Sequence, residues 1–165
     1  MTKKWAIVAG CAAAAAVVLW FTLFRPSEEE RVRKVLDRFA KAVVIKSDDT
    51  ILSRTGRLRA ELKATVTDDV YVDVSDLGIR VTSRATLVEE ATKAGLVFQS
   101  ADCSLTGMTI KIDASASSAK VDALAVVTGE RGGERRVDRR PVHFLLRKDG
   151  DWRITTIDVA PARPE

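Results

Sequence analysis

One histidine, one tyrosine and a few aspartates are the side chains of this 165-residue chain whose types and spacing suit proton transfer. Tyr71 and Asp73 sit two apart in Val70-Tyr-Val-Asp-Val74, so the period of a strand puts them on one face. Asp102 lies beside Cys103 further along, and His143 lies between Val142 and Phe144. A phenol, carboxylates and an imidazole that meet in a pocket can act as general acid and base. Each also has a plainer reading. Tyr71 and Asp73 fit the wet face of an edge strand. If Val142, Phe144 and Leu146 face a helical layer, alternation turns His143 to the outer surface. Cys103 has no Cys or His at metal-ligand spacing, and a lone thiol is most often a small buried hydrophobe. No zinc motif, phosphate-cradling glycine loop or nucleophile elbow is present, so no metal or cofactor is expected.

The 27 cationic and 23 anionic side chains are interleaved, which describes a solvated mixed surface with a formal charge of +4. The densest run, Glu130 to Arg140, sets five arginines against Glu130, Glu134 and Asp138 around Gly132-Gly133. It reads as a solvated hairpin. Aromatic residues make up 5% of the chain and none lies in that run, so bases would find no stacking platform. Nucleic acid is therefore not an expected partner. A hydrophobic content of 46% places the chain outside the disordered regime.

Trp5 to Phe24 is an unbroken apolar stretch, with Lys3 and Lys4 before it and Arg25-Pro26 after it. A helix of about 20 residues spans the hydrocarbon core of a bilayer. Residues 1–26 are expected to form a short cytoplasmic tip and a single-pass anchor, and residues 27–165 one domain. Two other readings stand beside it. One is a cleaved signal peptide. The other is a lipoprotein box at Val8-Ala9-Gly10-Cys11, whose preceding apolar region is short. The basic N-terminal tip favours an inner-membrane anchor with the domain on the periplasmic side. Arg25, Arg31, Arg33, Lys34 and Arg38 on the other flank weigh the opposite way.

Ser27-Glu-Glu-Glu30 has the form of a capping box, and Val32, Val35, Leu36, Phe39, Ala40 and Val43 then repeat with one helical stripe. A second helix is expected to bury Ile51, Leu52, Thr55, Leu58 and Leu62. After the strand around Val70 to Val74 and a turn at Gly78, a third helix is capped by Ser83 and expected to end at Gly95. The rest reads as strands: Leu96–Leu105, Thr109–Ala114, Ala119–Thr128, Arg135–Arg147 and Trp152–Ala160. Short separators make successive strands antiparallel. Phe144, Leu146, Trp152 and Ile154 alternate in one phase and Ile157 and Val159 in the other, which predicts either a bulge or a sheet covered on both faces. The fold class is α+β, with a transmembrane helix first and then helices packed on a curved antiparallel sheet.

The order of elements, and above all the closing hairpin Phe144-Leu-Leu-Arg-Lys-Asp-Gly-Asp-Trp152-Arg-Ile154, resembles the nuclear-transport-factor-2-like superfamily. The resemblance covers about Glu28 to Val159. It implies a cone-shaped sheet with a helix-lined pocket and often a dimer through the sheet. The superfamily hosts dehydratases, isomerases, polyketide cyclases, transport adaptors and secretion-system assembly proteins, so it leaves activity open. Within it, Tyr71, Asp73, Asp102 and His143 are the candidates for polar groups of a cone pocket. The favoured expectation is a membrane-anchored, non-enzymatic domain that binds a partner protein or itself. The alternative is a small-molecule-binding protein or a lyase or isomerase using the cone.

Overall fold

The computed structural model describes residues 26–162. Three helices, α1 (Glu28–Val43), α2 (Ile51–Thr65) and α3 (Arg84–Val97), pack on a six-stranded sheet. Its strands are β1 (Val66–Val74), β2 (Ile79–Val81), β3 (Ser100–Ile112), β4 (Ser118–Arg131), β5 (Glu134–Asp149) and β6 (Asp151–Val159), in the order β2-β1-β6-β5-β4-β3. The apolar stretch Trp5–Phe24 lies outside the described residues. Among the described residues no helix is long and apolar enough to cross a membrane.

α1 forms where its capping box predicts. Ser27 Oγ accepts the Glu30 amide and Glu30 Oε2 accepts the Ser27 amide, at 3.2 and 3.1 Å. Its stripe buries Val32, Leu36 and Ala40 against the concave face of the sheet, with Val35 and Phe39 half buried beside them. Glu28 fastens the first turn. Its carboxylate accepts Lys148 Nζ at 2.9 Å and the Trp152 indole N–H at 2.6 Å, joining α1 to the β5–β6 hairpin. Those two hydrogen bonds, Lys148 first, hold the Glu28 carboxyl below its ordinary pKa. This fastening is therefore complete above the usual carboxylate range and is lost as pH falls through the lowered folded value.

The sheet is mixed, which corrects the expectation of an antiparallel one. β3 to β6 form the predicted meander, but β1 pairs in parallel with β6 through Tyr71↔Thr156, Val72↔Ile157 and Asp73↔Asp158. A parallel neighbour needs a long connection. Here it runs from Ser75 to Gly150, with α3 and four strands inside it, so no local signal marks the pairing. The predicted bulge is present: Leu145 faces Thr156 and Leu146 faces Ile154, leaving Thr155 as the extra residue that shifts the inward phase from Ile154 to Ile157. Thr106-Gly107-Met108, expected to separate two strands, is instead a register shift inside the single strand β3, with Gly107 at φ 62°. The short β2 was not expected as a strand.

The helical layer departs from its prediction in two linked places. α2 buries Arg54, Leu58, Leu62 and Thr65, not Ile51 and Leu52. α3 runs through Gly95 to Val97. Gly95 is there to make room: a Cβ at that position would lie 1.3 Å from Nη1 of Arg54. Arg54 is only 4% exposed, and its guanidinium donates through Nη2 to the Ala91 carbonyl at 2.6 Å. Replacing Gly by Ala inside a helix ordinarily adds about 1 kcal/mol, but overpacking costs about 1–3 kcal/mol. Gly95→Ala is therefore expected to lower stability in chemical denaturation, and a gain would show that Arg54 does not occupy this space.

Candidate functional site

The strand pleat decides where each candidate residue goes. Val70, Val72, Val121, Ala123, Val142, Phe144 and Ile157 point into the cone and are buried there with the helices. Tyr71, Asp73, Asp122, His143 and Asp158 have the opposite parity and lie on the outer face. The strand register then lines up Arg80, Asp73, Asp158, His143 and Asp122 in one row across β2, β1, β6, β5 and β4. Within that row His143 Nδ1 lies 2.5 Å from Asp122 Oδ1, and Arg80 lies 4.0 Å from Asp73. The histidine is thus held by a carboxylate, as expected of a surface residue.

Asp102 is on β3, at the opposite edge of the sheet from Tyr71 and Asp73, and also faces out. The four candidates do not converge inside the cone. His143 and Asp122 are each more than half exposed on an open sheet. They could exchange a proton with a bound group, but nothing there excludes water from it. Two clefts of about 840 and 760 Å³ flank α2, and none of the four candidates lines either. No group of three or more His, Cys, Asp or Glu side chains suited to a metal occurs among the described residues.

The concave interior, where a ligand pocket was one expectation, is filled by side chains. Val32, Leu36, Leu58, Leu62, Val121, Phe144 and Ile154 are at most 2% exposed, and Phe39 meets the Phe144 ring edge-on at a centroid distance of 6.3 Å. Each such side chain contributes about 1.5–3 kcal/mol through burial.

A different feature escaped the sequence. At the end where α2 begins and α3 finishes, Ile51, Leu52, Leu96, Val97 and Phe98 form an exposed apolar rim, with Leu52 85% and Leu96 67% exposed. Ile51, Leu96, Val97 and Phe98 border a depression of about 270 Å³ over the buried Arg54. The Phe98 ring rests on Gly129 of β4, where an added Cβ would come within 3.1 Å of it. Counting back by four from Leu62 and Leu58 reaches Arg54, which takes the buried position, while Ile51 and Leu52 are the first residues of α2 and lie exposed at its end.

The fold is that of the nuclear-transport-factor-2-like proteins, on the evidence of solved structures. No protein-family model matches the sequence, and no curated protein matches it either. A Kribbella flavida protein, Kfla4162, superposes with a TM-score of 0.69 at 13% identity, over 83% of this chain and 91% of that one. A nuclear-transport-factor-2-like protein with a cystatin-like fold from Novosphingobium aromaticivorans gives 0.62 at 15% identity, over 90% and 86%. A provisionally named scytalone dehydratase from the same organism gives 0.65 at 14% identity, over 83% and 85%. Identities this low establish the architecture and leave the activity open.

Cys103 faces the helices from β3, and burial, with Asp102 beside it, raises its thiol pKa to about 11. Since the thiolate is the reactive form, a Cys11→Ser variant is expected to alkylate with iodoacetamide at pH 8 at least ten times more slowly (about one pKa unit or more of thiolate) than after unfolding. Equal rates would contradict the burial of this thiol.

Proposed function

We propose that this domain is a non-enzymatic binding module of the cell envelope, held at the inner membrane by residues 5–24 with the domain on the periplasmic side, which docks a partner protein. The observation that carries this reading is the apolar rim of Ile51, Leu52, Leu96, Val97 and Phe98. Clustered apolar side chains left in water mark interaction surfaces. The filled cone agrees with it, because a domain whose concave face is its own core has no enclosed space for a reacting molecule. The anchor rests on the length and flanks of the apolar stretch.

A second reading has one observation in its favour, the likeness in fold to the provisionally named scytalone dehydratase. It needs the cone to open between α1 and the Val121, Val142 and Phe144 side chains. A solution NMR screen of aromatic fragments that shifted Phe144 and Leu36 resonances would support it.

The docking reading is tested by placing a photocrosslinking amino acid at position 52 or 96 of the full chain in cells. A discrete adduct of one added mass is expected at either position and is expected to disappear when the other carries Glu. The mass tells a second copy from a different protein. Adducts absent at both positions, but formed from Leu145 on the outer sheet face, would move the docking surface to the sheet and overturn the assignment to the rim.

A further inference from the structure

A cleft of about 840 Å³ opens along the first half of α1. Arg31, Lys34 and Arg38 follow one another at helical spacing along its wall, with Val35 between them. Lys63 of α2 and Arg84 of α3 reach it from one side, and Lys148 and Arg153 of the β5–β6 hairpin from the other. Beside Lys63, α2 presents the small side chains of Ala60 and Ala64 there, which leaves the space open. Seven cationic side chains thus share a concave surface with two carboxylates, Asp68 and Asp151.

Four of the seven are already held. Arg31 and Lys148 share Glu28, at 3.3 and 2.9 Å, while Arg38 is paired with Glu61 and Arg84 with Asp68. Lys34, Lys63 and Arg153 have no acidic partner among the described residues. Like charges gathered in a concavity concentrate a field that attracts counter-charge. The net excess exceeds what one carboxylate would neutralise. Guanidinium forks match phosphoryl oxygens in geometry, and ammonium groups add point charge. Val35, Ala60 and Ala64 offer an apolar side for the uncharged remainder of such a ligand.

We propose that this cleft binds a phosphate-bearing anion. Two sources share that chemistry. If residues 5–24 are a membrane anchor, Phe24 lies seven residues before Arg31, at most about 25 Å of extended chain. The cleft then opens near the headgroups and a phospholipid can fill it. A soluble phosphate ester fits the same groups without the anchor.

The full chain, purified in a nonionic detergent, is titrated calorimetrically with inorganic pyrophosphate and with dihexanoyl phosphatidylglycerol, against dihexanoyl phosphatidylcholine as the zwitterionic control. Saturable binding at one site is expected for at least one of the two anions. Preference for the lipid or for pyrophosphate identifies the source. The double variant Lys34→Glu, Lys63→Glu is expected to weaken binding at least tenfold. Ala60→Trp, which fills the cleft and leaves the charge unchanged, is expected to do the same. Should Ala60→Trp unfold at the assay temperature, the charge variant decides. Arg135→Glu with Arg136→Glu makes the same change of charge on the β4–β5 hairpin, outside the cleft, and is expected to have less than a twofold effect. The proposal is overturned by absence of saturable binding to both anions, by unchanged binding in the cleft variants, or by an equal loss in the hairpin control.

Discussion

The packing of α1 into the concavity of the sheet is the contact on which everything else in this domain rests. Val32 and Leu36 share one buried cluster with Phe144, Val121 and Ile154, and Phe39 closes edge-on against the Phe144 ring. Because this contact is apolar, the cone holds a core where the resemblance in sequence implied a helix-lined pocket. Polar groups on the strands are consequently turned to the outer face, where His143, Asp122, Asp158 and Asp73 share one row. Placing chemistry outside and packing inside is a direct result of the two-residue period of the strands.

The two ends of the helical layer are secured differently. At the start of α1, Glu28 is the acceptor for a lysine, an arginine and an indole, so a single carboxylate joins the helix to the closing hairpin. At the far end, Arg54 lies across Gly95, and the two residues fit only as a pair. Removing the arginine would leave a void beside Gly95, and adding a methyl group to the glycine would displace a buried cation. One end of the layer is therefore basic and polar, with an open cleft beside it. The other ends in exposed Leu52 and Leu96.

Local rules read most of this from the sequence. The capping box at Ser27, the stripe of α1, the hairpins from β3 to β6 and the bulge near Thr155 each depend on residues a few positions apart. What escaped depends on distant partners. The parallel pairing of β1 with β6 joins segments more than eighty residues apart. Gly95 looks like a helix terminator until Arg54, forty-one positions earlier, is seen to need its space. The face of α2 was misread because Arg54 holds a core position that an apolar pattern assigns to its neighbours. The outward direction of His143 was legible from Val142 and Phe144. The rim was not, since Leu96 and Val97 continue a helix in a stretch whose composition suits a strand equally well.

Truncation of Phe144 tests the filled cone most directly. Equilibrium denaturation of the full chain in detergent should show Phe144→Ala losing about 3–5 kcal/mol, the cost of emptying a packed core site. A loss below about 1 kcal/mol, within the range of a surface substitution, would mean that the ring borders open space. The cone would then be a pocket, and the account of its interior as a closed core would be wrong.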